Sequence, residues 1–171
     1  MAAADISAAA PRRYLVVANQ TLGGPNLGQT LYDLARAGPA AFHIVVPCTP
    51  PPSTWTWSEG QAAAQAQERL DLTMRFARCL SASVTGSLGD VDPALAAREA
   101  VDQYGPFDEV LVATHPPGLS RWLKLDVLSR VRATTGLPVT HVVADAARTH
   151  ADALAAFRRF AAERGIPIDD D

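Results

Sequence analysis

The chain alternates short segments that are apolar at nearly every position with longer ones in which apolar residues recur every three or four places. Tyr14-Leu15-Val16-Val17-Ala18 is the first short segment, and Phe42 to Val46, closed by Pro47, is the second. A strand that is apolar on both sides must be covered on both sides, which is the condition of a parallel sheet sandwiched between helices. Ser83 to Leu88, running into Gly89-Asp90, is a weaker third strand, Val110 to Ala113 a fourth and Pro138 to Ala144 a fifth.

Between the strands the helical period takes over. A Gly-bearing turn leads to a helix from Asn26 to Ala37, with Asn26 as the expected N-cap. From Glu59 to Leu80, Ala63, Ala66, Leu70, Met74 and Ala77 fall on one stripe, with Gln65, Glu68 and Arg75 elsewhere. Asp92 is placed to cap a helix that has Pro93 in its first turn, runs to Tyr104 and stops at Gly105-Pro106. Leu119 to Thr134 reads as helix interrupted near Asp126, which is placed to cap the restart at Val127 and to pair with Arg130. A last amphipathic helix, Ala151 to Glu163, turns Leu154, Phe157 and Phe160 to one side. The proline-rich stretch from Thr49 to Trp57 cannot enter a central strand. The pattern predicts an α/β fold with five strands. Its divisions are a disordered tail over 1–11, an α/β domain over 12–144, and a C-terminal helix with an acidic tail over 145–171.

Composition narrows the function classes. Of 171 residues, 48% are apolar, but 32 are Ala, so the core must come from Val, Leu, Ile and the aromatics. The net charge is −3 and the basic set is 14 Arg and one Lys, Lys124, which excludes a polybasic nucleic-acid binder. No apolar run approaches the roughly 18–20 residues that cross a bilayer. The segment before Arg12 has no basic, Leu-rich leader pattern, so a cytoplasmic protein with no membrane contact is expected. Cys48 and Cys79 lack CxxC spacing and read as buried free thiols. His43, His115, His141 and His150 show no metal-binding spacing, and no GxSxG turn exists, so neither a metal nor a covalent cofactor is expected. His43 and His141 lie in strands and read as hydrogen-bonded sheet residues.

Three stretches carry a family resemblance: Phe107-Asp108-Glu109-Val110-Leu111-Val112, Gly118-Leu119-Ser120-Arg121, and Leu137-Pro138-Val139-Thr140-His141-Val142-Val143. In this order and spacing they resemble the second half of a universal stress protein domain, and with the first two strands the similarity spans residues 12 to 144. Ser120-Arg121-Trp122-Leu123-Lys124-Leu125-Asp126 also resembles a divergent actinobacterial branch of that family. The resemblance implies a three-layer α/β/α, Rossmann-like fold with a five-stranded parallel sheet, to which the C-terminal helix is an extra element, and a homodimer. It also implies a stress-associated regulatory role with a small anionic ligand or adenine nucleotide as the bound group.

The family's ATP-binding members carry Gly-x-x-Gly-x9-Gly-(Ser/Thr) after the fourth strand. Here the three Gly positions fall near Val112 or Ala113, at His115 and at Leu125, and the hydroxyl position is Asp126. Small residues let backbone N–H groups close on phosphate oxygens at a helix start, whereas a carboxylate repels a triphosphate. The Asp that ends the family's first strand falls at Asn19. His115-Pro116-Pro117 stiffens the loop that is Gly-rich in the family. Ordinary ATP binding is therefore not expected. Arg121 and Lys124 lie near the same loop and read as a solvated helix face.

Gly23-Gly24-Pro25-Asn26-Leu27-Gly28-Gln29-Thr30 matches the phosphate-loop pattern except for Gln29 in place of Lys, which removes the fixed counter-charge of the β- and γ-phosphates. It reads as a tight turn, with backbone amides that suit at most one phosphate or carboxylate. In an open α/β sheet the ligand crevice lies where the strand order reverses. That places Asn19, Gln20, Thr21, Gly23, Gly24, Thr114, His115, Gly118, Ser120 and Asp126 around one candidate site. Three functional readings stand. One is a non-catalytic regulatory binding protein. Another is an enzyme resembling the adenine-nucleotide α-hydrolases, with His115 or Asp126 moving a proton. The last is a dimerising interaction module with Trp55, Trp57 and Trp122 as anchors.

Overall fold

The computed structural model of the chain describes residues 9–19, 21–22, 24–48, 59–80, 82–144 and 150–168. Gln20, Gly23, Trp55, Trp57, residues 1–8 and the acidic end at 169–171 lie outside these. Strands β1 (Arg12–Val17), β2 (Ala40–Pro47), β3 (Ser83–Gly89), β4 (Glu109–Thr114) and β5 (Val139–Val143) form one parallel sheet in the order β3-β2-β1-β4-β5. The helices are α1 (Pro25–Ala37), α2 (Glu59–Cys79), α3 (Pro93–Tyr104), α4 (Arg121–Lys124), α5 (Val127–Thr135) and α6 (His150–Glu163). The expected α/β sandwich is present, with five parallel strands.

The continuous apolar runs are explained by two cores on opposite sides of the sheet. Tyr14, Val16, Phe42, Ile44, Leu111 and Ala113 enter one core, under α1, α2 and α6. Their neighbours Leu15, Val17, Val45, Val110 and Val112 enter the other, under α3 and α5. Successive residues at the centre of these strands therefore serve alternate cores. On the second side His43 is 3% exposed, stacked on Tyr104 at 4.1 Å, and bonded through Nδ1 to Thr85 Oγ1 (2.8 Å) and Nε2 to Ser87 Oγ (3.0 Å). It is a hydrogen-bonded sheet residue, as expected.

Helix α2 differs from its predicted stripe. Besides Ala66, Leu70 and Ala77 it buries Arg69, Leu72, Thr73 and Phe76, while Ala63 and Met74 are half-buried. Of these, Phe76 is covered by α6, whose Phe157 and Phe160 rings meet it at 4.9 and 5.7 Å. Gly28 is what lets α6 approach α1: a Cβ there would lie 2.9 Å from Phe157 Cε2 and 2.9 Å from Phe160 Cε1. The second glycine of the phosphate-loop pattern is thus a helix-packing glycine.

Several caps and thiols depart from expectation. α1 begins at Pro25 with Gly24 as N-cap, and Asn26 instead donates from Nδ2 to Val143 O at 2.7 Å, fastening the helix start to the end of β5. Asp92 does cap α3, accepting from Ala94 N at 2.9 Å. Asp126 stands between α4 and α5 in the left-handed conformation (φ 50°, ψ 46°) and makes no capping bond, since a capping side chain needs extended backbone at its own residue. Arg130 pairs with Asp92 rather than with Asp126. Cys48 is half-buried and Cys79 exposed, both free; Cys79 closes α2, where the helix leaves the core, and its Sγ lies 3.3 Å from Pro167 O.

Candidate functional site

The order β3-β2-β1-β4-β5 places the candidate crevice. The chain leaves β1 toward β2 and β3, then returns past β1 to reach β4, so the connections at the C-terminal ends of β1 and β4 diverge. Buried polar side chains gather along this C-terminal side of the sheet: Asn19, Thr21, Arg69, Thr114 and Ser120.

Asn19 follows β1, is 6% exposed and bonds on both sides. Its Nδ2 donates to Pro47 O at the end of β2 (2.7 Å), and its Oδ1 accepts from Arg69 Nη1 (3.2 Å). Thr21 donates from Oγ1 to Ala113 O (3.2 Å), tying the β1–α1 turn to β4. Gly24 belongs to the same turn: its amide donates to Thr21 O, and a Cβ on it would come within 3.1 Å of that oxygen. Thr114, at the end of β4, donates to His115 O (2.9 Å). The same Oγ1 lies 2.7 Å from His141 Nε2, a contact whose donor is set by the imidazole tautomer. Burial lowers the His141 pKa, which keeps that ring neutral at pH 7.

The loop after β4 closes on itself. Pro116 O accepts the amides of both Leu119 (3.1 Å) and Ser120 (3.2 Å). Ser120 Oγ accepts from Leu123 N (3.3 Å), which starts α4. These loop amides are therefore spent within the loop. Gly118 is exposed with φ 92° and nothing within 4 Å of a Cβ, and Asp126 and Lys124 are exposed farther on. The structure thus brings Asn19, Thr21, Gly24, Thr114 and His115 together at the strand ends, buries Ser120 in the loop, and leaves Gly118 and Asp126 on its outer surface.

Arg69, which the sequence reading left out, is the cation of this region. It is 9% exposed on α2 and donates to two neutral amide oxygens, Asn19 Oδ1 and Gln65 Oε1 (3.4 Å). Burial lowers its pKa and Glu68 acts in the opposite direction. Half-buried His115 senses it: burial first, then the Arg69 charge, lowers the His115 pKa. Arg69 lies one helical turn from Ala66 and two from Phe76, on the buried side of α2, yet its partner Asn19 is 50 residues away and nothing local in the sequence marks the pairing. Among the described residues no group of three His, Cys, Asp or Glu could hold a metal ion, and no helix is long and apolar enough to cross a membrane.

No family model matches the chain, and no curated protein matches it in sequence. Its fold is similar to that of a universal stress protein from Archaeoglobus fulgidus, with TM-score 0.52, 15% identity, and coverage of 77% of this chain and 93% of that one. A structure of the universal stress protein from the same organism in complex with dAMP is also similar, with TM-score 0.50, 13% identity, and coverage of 78% of this chain and 98% of that one. At such identity the likeness is one of fold.

Proposed function

We propose that the chain is a non-catalytic, universal-stress-protein-like binding protein of divergent, actinobacterial type, whose crevice takes a small anionic ligand or adenine nucleotide without holding ATP in that family's usual way. The observation that carries this reading is the gathering of buried polar groups, Asn19, Thr21, Arg69 and Thr114, at the strand ends where the order reverses. The similar structure that holds dAMP supports an adenine nucleotide with one phosphate as the first ligand to try. The β4–α4 loop supports the exclusion of ATP. Its Leu119 and Ser120 amides face Pro116 O, whereas a triphosphate cradle needs such amides directed at the ligand. The non-catalytic role is supported by the Thr114 and Ser120 hydroxyls, which bond to the main chain at His115 O and Leu123 N.

Equilibrium titration of the full chain with ATP, AMP and cyclic AMP, with and without magnesium, tests this reading. AMP or cyclic AMP is expected to bind with Kd on the order of 1–100 μM and ATP at least about tenfold more weakly. ATP binding as tight as AMP would overturn the altered specificity, and no binding by any of them would remove the nucleotide reading. The same reading includes a homodimer formed along β5, which is an outer strand of the sheet. Native mass measurement that found only monomer at about the Kd of a weak dimer, on the order of 10 μM, would remove that part.

A further inference from the structure

We infer that β3 is a docking edge for an extended segment of another protein, which joins the sheet as an antiparallel strand and sets a large apolar side chain opposite Gly86. The inference is independent of the crevice, which lies at the ends of β1 and β4 with β2 in between. β3 ends the strand order and pairs with β2 alone, while β5 is the edge that the preceding reading gives to a homodimer. The ladder runs unbroken from Ala41 with Ser83 to Pro47 with Gly89, so no bulge turns the edge aside. Gly89 O accepts from Cys48 N, just past β2, at 3.3 Å. Main-chain groups along a strand alternate in direction, so those of Val84, Gly86 and Leu88 face outward. Such a row of N–H and C=O groups is a template for one kind of occupant, a second extended backbone. Edges that are kept unpaired carry lysine, other charges or proline, and the β3 sequence Ser-Val-Thr-Gly-Ser-Leu-Gly has none of these.

The side chains say what that backbone carries. Leu88, 39% exposed, shares the α2 side of the sheet with half-buried Val84. Between them Gly86 has no side chain, because Leu70 Cδ1 and Met74 Sδ stand 2.7 and 2.8 Å from where its Cβ would be. The row therefore drops to main-chain level at its middle, beside the half-buried Met74 thioether, which matches an aromatic ring from the residue opposite. On the other side the Thr85 and Ser87 hydroxyls bond to His43, and small hydroxyl residues match them. Exposed Arg78 precedes the strand and exposed Asp90 follows it, so an antiparallel partner of complementary charge begins with a basic residue and ends with an acidic one. A second copy of the chain fits less well. Self-pairing about Gly86 would set glycine against glycine and leave the low middle of the row unfilled.

The test is a fluorescence-anisotropy titration of the full chain with the end-blocked peptide Lys-Val-Thr-Phe-Thr-Val-Glu. Binding is expected with Kd on the order of 10–100 μM. N-methylating the threonines, whose amides point away from β3, should leave Kd within about twofold, whereas N-methylating the valines and phenylalanine, whose amides point at it, should weaken binding at least about 20-fold. Phenylalanine to alanine in the peptide, or Leu88→Lys in the protein, should each weaken it about tenfold. Equal effects of the two methylation patterns would show adhesion to an apolar surface without strand pairing and would overturn the inference. So would the absence of binding at about 1 mM peptide. A native mass that falls from dimer to monomer in Leu88→Lys would give the edge to a second copy and overturn the inference as well. Should Leu88→Lys fail to fold by circular dichroism, the two methylated peptides on wild type decide.

Discussion

At the N-terminal edge of the sheet, Arg12 Nη2 pairs with Glu109 Oε2 at 2.9 Å, Thr140 donates to the same carboxylate, and Asp108 Oδ2 accepts the amide of Arg13 at 2.7 Å. At the C-terminal edge, Asn19, Thr21 and Thr114 bond to main-chain oxygens and to one buried guanidinium. The first set is charged, partly solvated and self-contained; the Arg12 side chain is 58% exposed. The second is neutral apart from Arg69 and removed from water. Exposed pairs add little to stability because water and salt compete for them, whereas a buried polar group that loses its partner keeps the full cost of desolvation. One end of the sheet should therefore tolerate substitution, and the other should be sensitive and able to discriminate between ligands.

The sharpest way to break this contrast is Asn19→Leu, which strips a partner from Arg69 and another from Pro47 O. We expect a loss of about 2–4 kcal/mol in urea unfolding, and a loss below about 1 kcal/mol would place the C-terminal edge on the same footing as the other. Next, Gly28→Val separates packing from ligand chemistry in the glycine-bearing turn. It should cost about 1–3 kcal/mol by forcing the Phe157 and Phe160 rings aside, yet leave AMP affinity unchanged; weaker AMP binding in a fully folded variant would return Gly28 to the site.

Acid probes the middle of the sheet, between the two edges. Burial, then the charge of Arg13, lowers the His43 pKa from 6.5 to about 4. The unfolded chain therefore binds the extra proton first, so the stability held by neutral His43 is complete above pH 6.5 and is lost as pH falls toward about 4. The expected loss is on the order of 1–2 kcal/mol, and a His43→Gln variant should flatten the slope in that window; an unchanged slope would assign it to other groups. The smallest effect belongs to Arg12→Ala, at under about 1 kcal/mol and vanishing in 1 M salt. A larger, salt-resistant loss would show the N-terminal edge to be as demanding as the other.

Much of the fold was legible because its strands are short runs apolar on both sides, bounded by turn residues, which a doubly covered parallel sheet calls for. Helix ends were legible where the cap is local, as with Asp92, and misread where a distant group claims the side chain. Asn26 is drawn to Val143 O and Arg130 to Asp92, and neither partner is close in sequence. The strand-end residues Asn19, Thr21 and Thr114 could be placed from strand order alone, since position in the sheet decides their neighbourhood. Arg69 could not. It bonds to Asn19, 50 residues away in sequence, and the periodicity of α2 does not say which side chains meet the end of β1.

That arrangement makes α2 a lever with its two ends in different environments. Phe76 is clasped by α6, and Arg69 lies two helical turns away on the same flank, about 10 Å along the axis. The clasp joins the seating of Leu70 and Met74 against Gly86 of β3 in setting the azimuth of the rod, so the bearing of the guanidinium depends in part on aromatic rings of α6. A roll of α2 by about 20° would swing a group some 6 Å off the axis through about 2 Å, enough to part a hydrogen bond. Trimming the ring of Phe157 should therefore blur the aim of Arg69 from the far end of the helix.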